Sequence, residues 1–177
     1  MCRICIYFLI LSTLASISLA SKNEHKLIKN KKYSDNYYAN SIIEGKAKAI
    51  DGDSLVIQNK QIRLFNVDAP EWDQKCSKTN GHKYKCGKAA HDYLIKLVND
   101  GRIKCKVLKK DNYDRFLSIC TNAQNKNLSI ELIKAGWAIP YYTNSDYYQY
   151  KHNAKKQRIG IWQGKFMTPR TYRKLTK

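Results

Sequence analysis

Beyond residue 20 the sequence has few acids, no closely paired cysteines and no apolar run long enough to cross a bilayer, and each shortage removes a class of protein. The missing apolar run excludes any later membrane span. Cys76, Cys86, Cys105 and Cys120 are not in C-x-x-C spacing, and His25, His82, His91 and His152 add no matching pattern, so disulfides are favoured over a zinc site. Only 14 Asp and Glu stand against 33 Lys and Arg, a net charge of +19. A polyanion is the natural partner of such a chain, because the field speeds encounter with nucleic acid and makes binding salt-dependent. The abundance of Lys, Asn, Ile and Tyr also fits an AT-biased genome. Charge alone therefore leaves anionic lipid and cell-wall polymers open beside nucleic acid.

A chain of 177 residues is one domain's worth once its ends are discounted. Residues 1–20 carry one cation, Arg3, then an apolar run from Ile4 to Leu14 and the small-residue ending Ser18-Leu19-Ala20. This fits a Sec-type signal cleaved after Ala20, with an N-terminal membrane anchor as the alternative, and places the product in the periplasm or outside the cell. Loss of Arg3 leaves +18, since the segment holds no acid. Residues 21–40, SKNEHKLIKNKKYSDNYYAN, have no sustained period and read as a flexible basic leader. The domain is expected over 41–165 and a basic tail over 166–177.

What the chain does contain is concentrated in residues 49–71, AIDGDSLVIQNKQIRLFNVDAPE. Ser54–Ile57 and Ile62–Val67 read as strands around a polar turn, Gln58–Gln61, and pair as a hairpin. Pro70 lacks an N–H and biases Ala69 toward extended backbone, so the chain leaves the sheet just after Asp68. Hairpin pairing makes Asp53 and Asp68 neighbours, and neighbouring carboxylates repel unless a cation or proton lies between them. Oxygen-only ligands favour Ca²⁺ or Mg²⁺. With Arg63 to grip a phosphate and Glu71 to take a proton from water, the parts of a phosphodiesterase are present. Taken singly, each has a plainer reading: DGD is a common turn, Pro-Glu often opens a helix, and a strand arginine usually faces water.

Elsewhere, Trp72–Lys85 reads as a polar loop, and Ala89–Val98 as a helix stopped by Asn99-Asp100-Gly101. Ile103, Cys105 and Val107 alternate with Arg102, Lys104 and Lys106, giving a half-buried strand with a basic face. Four cysteines allow three pairings. Folding 102–108 against 115–120 about Asn112-Tyr113 sets Cys105 opposite Cys120, which leaves Cys76 with Cys86 to close the loop after Glu71. In that register Arg115 points to the basic face. Leu128–Ala135 and Asp146–Ile159 read as helices, and the segment from Gln163 onward as tail. Between the helices, Trp137, Tyr141 and Tyr142 supply aromatic rings among cations, suited either to the core or to base stacking. Five strands, a helix between the third and fourth and two helices at the end suit an α+β fold, a Greek-key OB-fold barrel with about three helices.

The motif DGD, then I-R-L-F-N-V-D-A-P-E, then D-N-Y-D-R at 111–115 resembles the thermonuclease, or staphylococcal-nuclease-like, family, from about Ile43 to Trp162. The resemblance implies one Ca²⁺ held by Asp53, Asp68 and the Ala69 carbonyl, with Asp51 behind them. It implies Glu71 as general base, Arg63 and Arg115 on the phosphate, and Tyr113, Tyr141 and Tyr142 near the substrate. It further implies hydrolysis of DNA and RNA with little sequence preference, leaving a 3′-phosphate; the sequence itself gives no sign of oligomerisation, so a monomer without a stable protein partner is expected. Ala69 stands where the family often has Thr, which keeps the carbonyl and loses a hydroxyl. A silent barrel that binds nucleic acid or other polyanions is the alternative.

Overall fold

A computed structural model describes residues 38–99, 101–143 and 145–176; the expected signal and most of the leader lie outside the described residues. Five strands close a barrel: β1 (Ile42–Ala49), β2 (Ser54–Ile57), β3 (Lys60–Leu64), β6 (Arg102–Lys110) and β7 (Phe116–Thr121), in the order β1-β2-β3-β7-β6. All neighbours are antiparallel except β3 and β7. This is the expected OB-type barrel.

The β2–β3 turn is tighter than the sequence reading, because Gln58 and Asn59 both adopt left-handed φ values, 49° and 62°, that suit a two-residue hairpin. The second strand accordingly starts at Lys60, and it ends at Leu64 rather than Val67. Asn66, at φ 55°, turns the chain out of the ladder. Along β6 the alternation holds, with Ile103, Cys105 and Val107 fully buried. Cys105 faces Cys120 in the register and the two are bonded; a shift between Val107 and Lys109 then moves the pairing by one residue before the turn.

Three helices cover the barrel and its end. Helix α1 (Cys86–Val98) buries Ala90, Leu94 and Val98 and packs against β1. Helix α2 (Leu128–Lys134) is capped by Asn127, whose side chain accepts from the N–H groups of Ser129 and Ile130, and buries Leu128, Leu132 and Ile133. Helix α3 (Tyr148–Lys156) packs on α2. None of the described helices is long and apolar enough to cross a membrane.

Two expectations give way. The loop expected over Trp72–Lys85 contains a hairpin, β4 (Lys75–Lys78) with β5 (Lys83–Lys85), bridged at its base by the Cys76–Cys86 disulfide. The segment from Gln163 onward is not plain tail: it contributes a third strand, β8 (Gly164–Lys165), paired with β4, and then, within 166–177, helix α4 (Pro169–Thr176). These strands are too short and too polar for a period to register in sequence. They cohere because Cys76, Cys86 and Ile161 form a second small core with Tyr84, Trp137, Trp162 and Phe166 packed on it. Trp137 is thereby half-buried in that core rather than presented to a ligand.

Candidate functional site

Asp51-Gly52-Asp53 is the bend between β1 and β2. The Asp53 N–H donates to Asp51 Oδ1 at 2.9 Å, which fixes the bend locally. Gly52 lies against Ala69 and Ala90: a β-carbon there would stand 2.6 Å from the Ala69 methyl. The bend is therefore pressed between the segment after β3 and helix α1. Asp68 is pinned separately, its backbone exchanging two hydrogen bonds with Ile139 at 2.9 and 3.0 Å. Glu71 is set by its neighbours: its N–H donates to the Gln74 side chain at 3.2 Å, and Gly87 of α1 packs so closely on its carbonyl that no side chain fits.

These anchors bring the carboxylates together as the hairpin requires. Arg63 Nη2 lies 3.0 Å from Asp53 Oδ2 and 3.3 Å from Asp68 Oδ1, so one nitrogen bridges two buried acids. The Ala69 N–H also donates to Asp53 Oδ2, at 3.3 Å. Burial pushes the Asp53 carboxyl up to about 7; Arg63 opposes this, while Asp51 and Asp68 add to it.

Arg115 stands apart from that cluster. Its side chain grips Asp111, with Nη2 2.7 Å from Oδ2, inside the β6–β7 turn, and its guanidinium lies over the Tyr113 ring at 5.3 Å. Burial works against the Asp111 charge, yet bonds from the Arg115 side chain and from the Arg115 and Tyr113 N–H groups hold it below the ordinary carboxylate range. The structure still aims the two halves at one place. Asp51, Asp53, Arg63, Ala69, Glu71, Tyr113, Arg115, Tyr141 and Tyr142 all line one open cleft of about 760 Å³. Tyr141 and Tyr142 expose about half their surface and meet edge to face at 5.1 Å, and the Tyr142 N–H donates to Asn66 Oδ1 at 2.8 Å.

Two residues escaped the sequence reading. Arg173 of α4 enters the same cleft, with Nη1 2.6 Å from Glu71 Oε1 and 2.9 Å from Asp68 Oδ1, and Nη2 3.3 Å from Asp68 Oδ2. Partial burial works against its charge, but the two carboxylates outweigh this and hold its proton more tightly than usual. Gln74 is fully buried, and its amide also donates to the Met167 carbonyl at 2.7 Å, tying the Glu71 loop to the approach to α4. The signal for α4 was present: Thr168-Pro169 is a helix start, and Thr168 Oγ1 accepts from the Thr171 N–H at 3.2 Å.

The donor set fits a hard cation. Two buried carboxylates meet at one guanidinium nitrogen, and both offer the oxygen ligands that such an ion takes. Among the described residues no three His, Cys, Asp or Glu side chains form a complete cage. Such an ion would therefore draw its remaining ligands from backbone, water or substrate.

Residues 61–164 match the model of the family described as staphylococcal nuclease homologue. The chain is 34% identical over 123 residues to the succinoglycan biosynthesis protein ExoI of Rhizobium meliloti (strain 1021), covering 68% of this chain and 64% of that one. It is 33% identical over 132 residues to endonuclease YhcR of Bacillus subtilis (strain 168), covering 65% of this chain and 11% of that much longer protein. Micrococcal nuclease of Shigella flexneri is 27% identical over 132 residues, with 65% and 70% covered. The chain thus spans less than two thirds of the first two relatives. The family match takes in more than half of this sequence and establishes that the chain belongs to the staphylococcal nuclease homologue family.

Proposed function

We propose that the protein is an exported, Ca²⁺-assisted nuclease that hydrolyses phosphodiester bonds of DNA and RNA with low sequence specificity. The observation that carries this reading is one cleft lined by Asp53, Arg63, Glu71, Arg115 and three tyrosines, with the buried Asp68 just behind it, paired to Arg63. Names of two relatives, an endonuclease and a micrococcal nuclease, support it. Asp53, Asp68 and the Ala69 carbonyl would hold the cation, which supplies charge to polarise a phosphoryl oxygen when bound. Glu71 accepts a proton from the attacking water, whose oxygen bonds to phosphorus. The 5′ oxygen departs and takes up a proton, leaving a 3′-phosphate, with one water consumed per bond. Arg63 and Arg115 bind the phosphate as it gains negative charge, which favours the transition state over the ground state. Tyr113, Tyr141 and Tyr142 give flanking bases surfaces to stack on. Export is supported by the character of residues 1–20 and by the two disulfides.

The test is to incubate the disulfide-bonded protein with plasmid and single-stranded substrates, with Ca²⁺ or with chelator, beside Glu71→Gln. Cleavage that needs Ca²⁺ and falls at least about 10²-fold in the variant is expected. Cleavage that persists equally in Glu71→Gln overturns the assigned base, and tight binding without cleavage makes the protein a silent nucleic-acid binder.

A further inference from the structure

We propose that Arg173 is an intramolecular latch that occupies the cation's place on Asp68 and must leave before a divalent ion binds. This rests on the reading that Asp53 and Asp68 form the cation site. Its physical basis is a saturated carboxylate. Asp68 Oδ1 receives Arg173 Nη1 at 2.9 Å and Arg63 Nη2 at 3.3 Å, while Oδ2 receives Arg173 Nη2 at 3.3 Å, so both oxygens are engaged. A fork that spans both oxygens of one carboxylate covers the positions an ion would need. The same Nη1 lies 2.6 Å from Glu71 Oε1, so the latch also engages the carboxylate assigned to activate water.

The contact is built into the fold. The approach to α4 is paired through β8 to β4, Gln74 bonds the Met167 carbonyl, Pro169 is buried, and Thr168 caps the helix. Gln74 also accepts the Glu71 N–H, so one buried side chain sets the distance between the latch and its target. Apart from Arg173 and the half-buried Tyr172, which bonds Asp73, helix α4 is open: Arg170 and Thr171 are exposed, and Leu175 is 70% exposed. A well-anchored base with a lightly held helix suits an arm that gives way when a stronger charge arrives. The consequence is an enzyme whose cleft is neutralised at low divalent-ion concentration and opened at high concentration.

The experiment titrates CaCl₂ by calorimetry into the wild-type protein, Arg173→Ala, Arg173→Lys and Asp68→Asn without nucleic acid, and follows tryptic cleavage within α4 of the wild type with and without Ca²⁺. Arg173→Ala is expected to bind Ca²⁺ about tenfold more tightly than wild type, with Arg173→Lys between them because a single ammonium cannot fork. Ca²⁺ is expected to speed cleavage at Arg170 and Lys174. Affinity unchanged or weakened in both Arg173 variants, with melting curves that report folded protein, overturns the latch while leaving the cation site standing. Asp68→Asn that binds as tightly as wild type, or no Ca²⁺ binding in any of the four, overturns the cation reading and the latch with it.

Discussion

Arg63 and Arg115 bring the same charge to the same cleft but lean on different partners, so their loss should read out differently. Arg63 compensates two buried acids, whereas Arg115 is held by Asp111 in an open turn. Replacing either with alanine should lower the cleavage rate 10²- to 10³-fold, about 2.7 to 4 kcal/mol of transition-state stabilisation. Only Arg63→Ala should also depress the melting temperature of the metal-free protein, since Asp68 keeps Arg173 but the buried Asp53 loses its cationic partner. Paired rate and melting measurements check this. Asp53 supplies the pH dependence. Its folded-state carboxyl is raised from 3.8 to about 7, so the stability it contributes to the metal-free protein is complete below pH 4 and is lost as pH rises through 7. A cation must displace that proton, so Ca²⁺ should raise the melting temperature far more at pH 8 than at pH 5. Asp53→Asn should abolish both the Ca²⁺ effect and its pH dependence, as thermal melts at the two pH values will register.

At the level of elements, the cleft depends on how closely α1 approaches the loop that carries Glu71. A β-carbon on Gly87 would collide with the Glu71 carbonyl, so Gly87→Ala should displace Glu71 or the helix start. A cost of about 1 to 3 kcal/mol from such overpacking is expected, together with a fall in cleavage rate, measurable by denaturant unfolding and initial rates. The Cys76–Cys86 bond, with a sequence separation of 10, ties the start of that helix to β4. Replacing both cysteines with alanine should cost about 2 to 4 kcal/mol. The barrel strands were legible because alternation along β6 and the punctuation of DGD and DAPE are local signals. The Cys105–Cys120 pair followed from hairpin arithmetic alone. The β4–β5–β8 sheet was not legible: its strands run two to four residues, and β8 comes from the far end of the chain. Arg173 was hidden for the same reason. Its separation of 105 residues from Asp68 carries no periodicity, whereas Asp53 and Asp68 are joined by one hairpin whose register sequence can supply.

Across the whole molecule, the question is whether a net charge of +19 is aimed or merely spread. Lys109, Lys110, Arg63, Arg115 and Arg173 line the cleft, while Lys151 and Lys155 of α3 lie near the Trp162 ring instead. If the cleft group tracks a phosphate backbone, affinity for a single strand falls with salt by a slope of about −0.7 per phosphate neutralised. Glu71→Gln permits this measurement in the presence of Ca²⁺ with turnover slowed at least about 10²-fold. Adding Arg115→Ala to that background should reduce the slope by about the equivalent of one phosphate. Adding Tyr142→Ala should leave the slope unchanged and cost about 1 to 3 kcal/mol at every salt concentration, because stacking on a base is not ionic. The two substitutions thus separate charge from stacking within one cleft. A slope that Arg115→Ala does not alter would mean that Arg115 serves the β6–β7 turn through Asp111 and not the phosphate, leaving the salt dependence to the other cations.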